Sequence, residues 1–167
     1  MCGEFDRVQA ASTKVGRGFA FDDTAAVLLH FENGAVGTLI ISESTPSPWS
    51  WEASVSDGMG HHNAGQDHAQ FIGTEGSLSF PSLTIWSYDQ DLADPGWQLP
   101  LSAQRHDVLR NNPYVEQIAH FALVIHGEEE PLVSGEDGLR SLAVVNAVIE
   151  AAQTGGLIEI ESLLTDP

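Results

Sequence analysis

Histidine and carboxylate side chains cluster in one glycine-rich stretch of the chain, where His61, His62, Asp67 and His68 lie close together in sequence. Imidazole and carboxylate ligands that are neighbours in sequence can enclose a divalent metal and leave one coordination position open. The spacing fits no established zinc motif, and polar residues in such a loop are more simply solvated or line a cleft. We therefore assign no metal site, and we keep His61, His62 and Asp67 as candidate substrate-cleft residues.

Two tryptophans precede this loop in a segment that we expect to be a strand from Trp49 to Val55. Side chains two residues apart share one face of a strand. Trp49 and Trp51 could therefore form a stacking wall for a sugar ring, although packing in a core or an interface is the commoner role of such residues. We place Trp49 and Trp51 in the same candidate cleft.

Other catalytic and cofactor-binding patterns do not occur in the sequence. The glycine-rich stretches lack both the G-x-G-x-x-G spacing and a following helix, and there is no phosphate-loop or serine-elbow motif. Cys2 has no evident base near it. We predict no catalytic, cofactor-binding or metal-binding residue in this chain. The remaining histidines are interpreted as structural: His30, His106, His120 and His126.

The length and the charge of the chain limit the number of domains and the kinds of partner that we expect. The 167 residues suit one domain, residues 1–167, with no room for a second. Asp and Glu outnumber Lys and Arg by 24 to 6, and the formal net charge of −18 disfavours nucleic-acid and membrane-surface partners. A single cysteine excludes an internal disulfide, and no apolar run approaches the roughly 20 residues that span a bilayer. We expect a cytoplasmic protein.

The order of patterns favours an α+β fold, in which an open, mostly antiparallel β-sheet has helices packed on one face. Strands are expected first, including a hairpin from Thr24 to Ser42 that turns at Asn33-Gly34. Two helices follow, one from Asn112-Pro113 to Gly127 and one from a capping pair, Ser134 and Asp137, to Gly155. A short last strand ends the chain, and residues Asp89 to Asn112 are expected to be irregular.

Both strands of the predicted hairpin are apolar on both of their faces. Val27 and Leu29 lie on one side of the first strand and Leu28 on the other, and Leu39, Ile40 and Ile41 follow one another in the second. A sheet whose two faces are apolar must be covered on both sides. We expect helices to cover one face, and the strand pattern leaves open what covers the other.

Several stretches, in the right order along the chain, are similar to the second domain of the Gfo/Idh/MocA family of NAD(P)-dependent oxidoreductases. Together they extend over nearly the whole sequence. They are Asp22 to Leu29, Phe31 to Leu39, the hairpin Gly73 to Leu78, the helix from Asn112-Pro113 through Gln117, His120-Phe121 and Ile125 to Gly127, and Pro131 to Leu139 with Ala147 and Gly155.

The resemblance implies a C-terminal domain with an open antiparallel sheet that pairs subunits and forms part of a substrate cleft. Family members place a Rossmann domain first, with a glycine-rich turn, a catalytic lysine in a Glu-Lys-Pro motif and a histidine just before this region. None of the three is present here. Met1 to Glu4 resembles the end of the helix that carries that histidine, so we expect a reading frame derived from a longer gene.

The resemblance therefore implies the substrate-binding and oligomerisation domain of a Gfo/Idh/MocA-like oxidoreductase, a family that acts on sugars or polyols, and we expect it to be inactive alone. No cofactor is expected to bind this chain by itself, whereas the full-length family uses NAD(P). One alternative is a subunit that works in trans with a partner chain that carries the Rossmann domain. The other is a non-enzymatic homodimeric module that binds a sugar. All of these readings include a homo-oligomer formed through the sheet face.

Overall fold

In the computed structural model, described for residues 2–14, 16–55, 62–89, 96–109 and 111–160, strands dominate the first part of the chain and long helices the last. The elements in chain order are β1 (Phe5–Thr13), β2 (Thr24–Phe31), β3 (Val36–Ser42), α1 (Trp51–Val55), β4 (Ala69–Ile72), β5 (Ser77–Phe80), β6 (Thr84–Ser87), β7 (Ser102–Arg105), α2 (Pro113–Ile125), α3 (Gly135–Thr154) and β8 (Ile158–Glu159). They belong to two compact units, Met1–Thr45 with Glu130–Pro167, and Pro46–Glu129.

The first unit contains a four-stranded antiparallel sheet in the order β3-β2-β1-β8. Its central hairpin turns where the sequence predicts. Gly34 has a φ of 86°, and the side chain of Asn33 accepts a hydrogen bond of 3.0 Å from the Ala35 N–H. The left-handed backbone that the turn requires is available to glycine without steric cost, which explains why a local pattern predicts this hairpin.

Helix α3 covers one face of this sheet. The Ser134 hydroxyl accepts from the Asp137 N–H while the Asp137 carboxylate accepts from Ser134, and the helix ends at Gly155 in the left-handed conformation. Its buried side is a stripe of small residues that packs against Val8 and Ile160. The members of that stripe are Ala143, Ala147 and Ala151. The predicted caps are confirmed, and the predicted packing of helices on one sheet face is confirmed for α3.

The opposite face of the first sheet bears few charges. Because side chains alternate along a strand, the neighbours of buried Val8 point away from α3. Register places Arg7, Gln9 and Ala11 beside Ala26, Leu28, His30, Val36, Thr38, Ile40 and Glu159 on this face. Among these, Arg7 and Glu159 are the charged residues, and they pair with each other in register. Half of the ten residues are apolar, so the expectation of an apolar second face holds for part of this surface.

The second unit contains another four-stranded antiparallel sheet, in the order β4-β5-β6-β7. The β4–β5 connection closes with a hydrogen bond of 2.8 Å from the Gly73 N–H to the Gly76 carbonyl, as its glycines predict. Helix α2 begins as predicted, with Asn112 as its capping residue and Pro113 in the first turn. The α+β class with open antiparallel sheets is thus confirmed, with the strands divided between two sheets.

Two local expectations were wrong. The segment from Trp49 to Val55 is not a strand, because the Ser50 side chain accepts from the Ala53 N–H at 3.2 Å and the Ser50 carbonyl accepts from the Ser54 N–H, which starts the short helix α1. The stretch from Asp89 to Asn112, expected to be irregular, contains strand β7, which pairs antiparallel with β6. No helix within the described part of the chain is long and apolar enough to cross a membrane.

A buried carboxylate organises one end of the first sheet. Asp23 accepts hydrogen bonds from the Arg17 N–H at 2.9 Å, the Thr24 hydroxyl at 3.0 Å and the Ser44 hydroxyl at 3.3 Å. These donors, the Arg17 N–H first among them, lower the pKa of the Asp23 carboxyl below its ordinary value. The ionised form of Asp23 therefore ties the β1–β2 connection to the end of β3.

We predict that the hydrogen bonds to Asp23 make the free energy of unfolding decrease as the pH falls into the acid range. A carboxyl whose pKa is lowered by folding stabilises the fold above the pKa of the unfolded chain, and that contribution is lost as the pH falls below about 4 and through the lowered value. Asp23→Asn should be less stable than the wild type at neutral pH and should lose less stability on acidification, as measured by urea unfolding between about pH 6 and about pH 2.5. The control Glu43→Gln, at an exposed carboxylate, should follow the wild-type curve. Parallel curves for Asp23→Asn and the wild type would contradict the assignment.

Candidate ligand-binding cavity

The second unit contains a cavity of about 580 Å³, within the range of small-molecule sites. Helix α1, the turn after β5 and the start of α2 all contribute to it. The lining residues are Trp51, Val55, Phe80, Pro81, Leu83, Val108, Asn111, Pro113, Tyr114 and Gln117. Three separate elements therefore form its walls, and most of the side chains that line it are apolar or aromatic.

An aromatic cluster supports one wall. The His68 ring lies edge-on to Trp51, with ring centroids 5.5 Å apart, and edge-on to Phe80 at 5.4 Å. The backbone N–H of His68 donates to the Phe80 carbonyl at 3.0 Å, and this hydrogen bond holds the His68 ring beside β5. Its Nδ1 atom is buried and has no hydrogen-bond partner among the described residues. His68 thus holds two rings of the cavity wall in place.

A carboxylate clamp shapes the turn that forms the second wall. Asp67 accepts from the Ser82 N–H at 2.7 Å and from the Ser82 hydroxyl at 2.8 Å. The next residue, Leu83, has a φ of 52°, a conformation that L-residues with large side chains rarely adopt. The Leu83 carbonyl accepts from the His106 N–H at 3.1 Å. Fixed on both sides, the turn presents Phe80, Pro81 and Leu83 to the cavity.

The third wall is the first turns of α2. The Asn112 side chain accepts from the Tyr114 N–H at 3.0 Å and caps the helix. Tyr114 and Gln117 are three residues apart and therefore share one face of the helix. The cap therefore fixes the position at which the Tyr114 ring and the Gln117 amide line the cavity.

The structure brings together part of the residue set predicted from the sequence. Trp51 lines the cavity, and Asp67 supports the turn beside it. Trp49 is exposed, with its backbone N–H bonded to the Ser47 hydroxyl, and it does not share a strand face with Trp51. His62 is exposed, and His61 lies outside the described residues. The role of all five in a substrate cleft stays a prediction.

Several lining residues were missed by the sequence analysis. The signal for Tyr114 and Gln117 was present, since Asn112-Pro113 predicts a helix start and so places both in its first turns. No local pattern marks the turn from Phe80 to Leu83 as a wall, because its shape depends on a carboxylate fifteen residues away in sequence. Among the described residues, no group of three or more His, Cys, Asp or Glu side chains could hold a metal.

A sequence model of the C-terminal α/β domain of the Gfo/Idh/MocA oxidoreductase family matches residues 1–160. The chain belongs to this family. The match runs through the residues of both structural units. This Gfo/Idh/MocA domain is 36% identical over 94 residues to a 1,5-anhydro-D-fructose reductase from Ensifer adhaerens, a region that makes up 54% of this chain and 26% of that relative.

Solved structures share the fold of this Gfo/Idh/MocA domain at low sequence identity. An oxidoreductase from Thermotoga maritima is 20% identical with a TM-score of 0.63, over 97% of this chain and 40% of that one. An oxidoreductase from Agrobacterium radiobacter, in complex with NAD⁺, L-tartaric acid and magnesium, is 18% identical with a TM-score of 0.64, over 97% and 45%. An aldose-aldose oxidoreductase from Caulobacter crescentus, complexed with glycerol, is also 18% identical with a TM-score of 0.64, over 94% and 42%. The domain spans less than half the length of these proteins.

Neither long helix among the described residues begins in the setting that usually holds a nicotinamide dinucleotide. The pyrophosphate of such a cofactor binds at a helix N-terminus that follows a strand and a glycine-rich turn. The first N–H groups of α2 are occupied by Asn112, and Ser134 and Asp137 cap α3. Neither helix follows a glycine-rich turn from a strand.

We predict that the clamp on the turn stabilises the second unit. Asp67→Ala removes both acceptors of Ser82 and releases a strained backbone, so it should lower the free energy of unfolding by about 1–3 kcal/mol. Urea unfolding followed by tryptophan fluorescence measures the change. The control Glu75→Ala, at an exposed carboxylate of the same unit, should stay within about 0.5 kcal/mol of the wild type. Equal effects of the two substitutions would show that the clamp contributes nothing.

Proposed function

We propose that this chain is the substrate-binding and oligomerisation part of a Gfo/Idh/MocA-like oxidoreductase that acts on sugars or polyols. The observation that carries the proposal is the family match over residues 1–160, which is a match to the α/β domain by itself. Two proteins similar to this chain, a 1,5-anhydro-D-fructose reductase and an aldose-aldose oxidoreductase, are named for carbohydrate substrates, which supports this substrate class.

In this proposal the chain alone does not transfer hydride. The nicotinamide cofactor supplies the hydride in such enzymes, and it would be held by a nucleotide-binding domain, on a partner chain or otherwise. The capping of both long helices supports this division of roles, since Asn112 accepts from the Tyr114 and Val115 N–H groups and Ser134 accepts from the Asp137 N–H.

The substrate side of the site is proposed at the cavity beside Trp51. An exposed indole face stacks on the apolar face of a sugar ring, and Asp67 holds the neighbouring turn in position. We propose Trp49, His61 and His62 as further cleft residues on the strength of their place in the sequence, next to Trp51 and Asp67.

The oligomer is proposed to form through the face of the first sheet that α3 leaves uncovered. Val36 and Ile40 are exposed there, next to uncharged Thr38 and Leu28. A chain with a net charge of −18 repels its own copies over most of its surface, so a nearly uncharged face is the part that two copies can bring together at least electrostatic cost. A homodimer also suits the alternative role as a sugar-binding module.

A chimeric enzyme tests the proposed enzymatic role of this chain. The matching C-terminal part of the Ensifer adhaerens 1,5-anhydro-D-fructose reductase is replaced by this chain, and NADH or NADPH oxidation is followed with 1,5-anhydro-D-fructose. The chimera should turn over the sugar, whereas this chain alone should bind neither nucleotide in calorimetry. Trp51→Ala in the chimera should lower kcat/KM about tenfold, equivalent to about 1.4 kcal/mol of lost transition-state binding. Trp97→Ala, at a fully exposed tryptophan, should leave it unchanged.

Two results would contradict the proposal. One is a folded chimera that binds the nucleotide without turning over the sugar. The other is micromolar binding of NAD(H) or NADP(H) by this chain alone.

We predict that the sheet face carries the dimer. Ile40 is 79% exposed on that face, so Ile40→Asp should raise the dimer dissociation constant at least about tenfold by placing a charge in the contact. Ile72, at the end of β4 in the second unit, is 80% exposed, and Ile72→Asp is the matched control that should leave the dimer intact. Light scattering at micromolar concentration measures both. A monomeric wild type would contradict the sheet-face contact.

A further inference from the structure

The cavity of the second unit has a lining that suits an uncharged ring better than a ligand rich in charge. None of its described lining residues carries a formal charge. Its polar side-chain groups are the amides of Asn111 and Gln117, the Tyr114 hydroxyl and the indole N–H of Trp51, and the other side chains are hydrocarbon. An anion placed here would lose water without gaining a charged partner among these residues.

Two large rings are left partly in water at this cavity. Trp51 is 51% exposed and Tyr114 is 48% exposed, and they enter from different helices, α1 and α2. Apolar surface in contact with water carries a free-energy cost that is relieved in proportion to the area covered. A flat apolar ring between these walls would cover part of both.

The cavity wall is formed before any ligand arrives. Asp67 and Ser82 hold the turn in which Leu83 keeps a φ of 52°. Backbone held in such a rare region persists only where its surroundings fix it, and such positions concentrate at ligand sites. A preformed wall also spares a ligand the cost of ordering the turn.

The volume indicates the size of the occupant. A dry apolar cavity of about 150 Å³ admits one benzene ring. At about 580 Å³ this cavity has room for two fused rings and is still open to solvent. The amides of Asn111 and Gln117 could then meet one hydroxyl or carbonyl group of the occupant.

We propose that this cavity binds an uncharged compound of one or two apolar rings, with a single hydroxyl or carbonyl group directed to the amides. This inference rests on the proposed function, because the cavity is the one proposed there for the sugar, and it adds an apolar ring system to the chemistry of the substrate. In an oxidoreductase of sugars or polyols, the occupant corresponds to an apolar substituent of the substrate.

A matched pair of probes tests the ligand class. 2-Naphthol and 2-naphthoate share one ring system, but the first is neutral at pH 7 and the second is an anion. In isothermal titration with the full chain, 2-naphthol should bind with a dissociation constant of about 1 mM or below, and 2-naphthoate at least about tenfold more weakly.

A matched pair of variants tests the location. Val108 lines the cavity and is 61% exposed, so Val108→Trp should fill the space with little effect on folding and weaken 2-naphthol binding at least about tenfold. Val115 is 62% exposed on α2 and does not line the cavity, so Val115→Trp should bind 2-naphthol like the wild type.

Three outcomes would overturn the proposal. They are no binding of 2-naphthol at 1 mM, equal binding of naphthol and naphthoate, and an equal effect of the two tryptophan substitutions. If Val108→Trp abolishes self-association and 2-naphthol does not bind, the cavity is instead filled by a second copy of the chain. None of these assays involves cofactor or sugar turnover, so their failure is distinct from a failure of the proposed oxidoreductase role.

Discussion

The two hydrogen bonds from Ser82 to the Asp67 carboxylate determine the shape of the second unit's cavity. They hold a turn that the backbone would otherwise avoid, because Leu83 lies in the left-handed region. Phe80 and Pro81 reach the cavity from the same turn, and His68 keeps the ring of Phe80 beside that of Trp51. A site built on one carboxylate and one strained turn is defined sharply in space, which is what a selective binding surface needs.

In the first unit the governing constraint is a sheet with one apolar face under α3 and a mixed second face that bears few charges. Helix α3 covers one face through Val8 and Ile160, and the capping pair of Ser134 and Asp137 fixes where the helix begins. The other face carries few charges on a chain of strongly negative net charge. The same strand pattern therefore accounts for both the intramolecular core and the surface proposed for pairing.

Local chemistry determined which parts of the fold were predictable from the sequence. Asn33-Gly34 and the two helix caps were predicted because each depends on residues within one turn of one another. The strand predicted from Trp49 to Val55 is instead the short helix α1 from Trp51, in which the Ser50 side chain accepts from the Ala53 N–H. The cavity could be predicted only in part. Trp51 and Asp67 were named as cleft residues, but the clamp on Ser82 and the meeting of three walls depend on contacts between residues distant in sequence, which no single stretch encodes.

The small-residue stripe of α3 has a consequence for sequence change. Ala143, Ala147 and Ala151 recur every fourth position and are buried against the sheet, so they set the spacing between helix and strands. A larger side chain at any of them lifts the helix from β1, and overpacking of this kind is costly. Leu142, Val145 and Ile149 lie on exposed positions of the same helix, where side-chain size does not affect that spacing. Amino-acid substitution among homologues should therefore be slow at the three alanines and faster at their exposed neighbours.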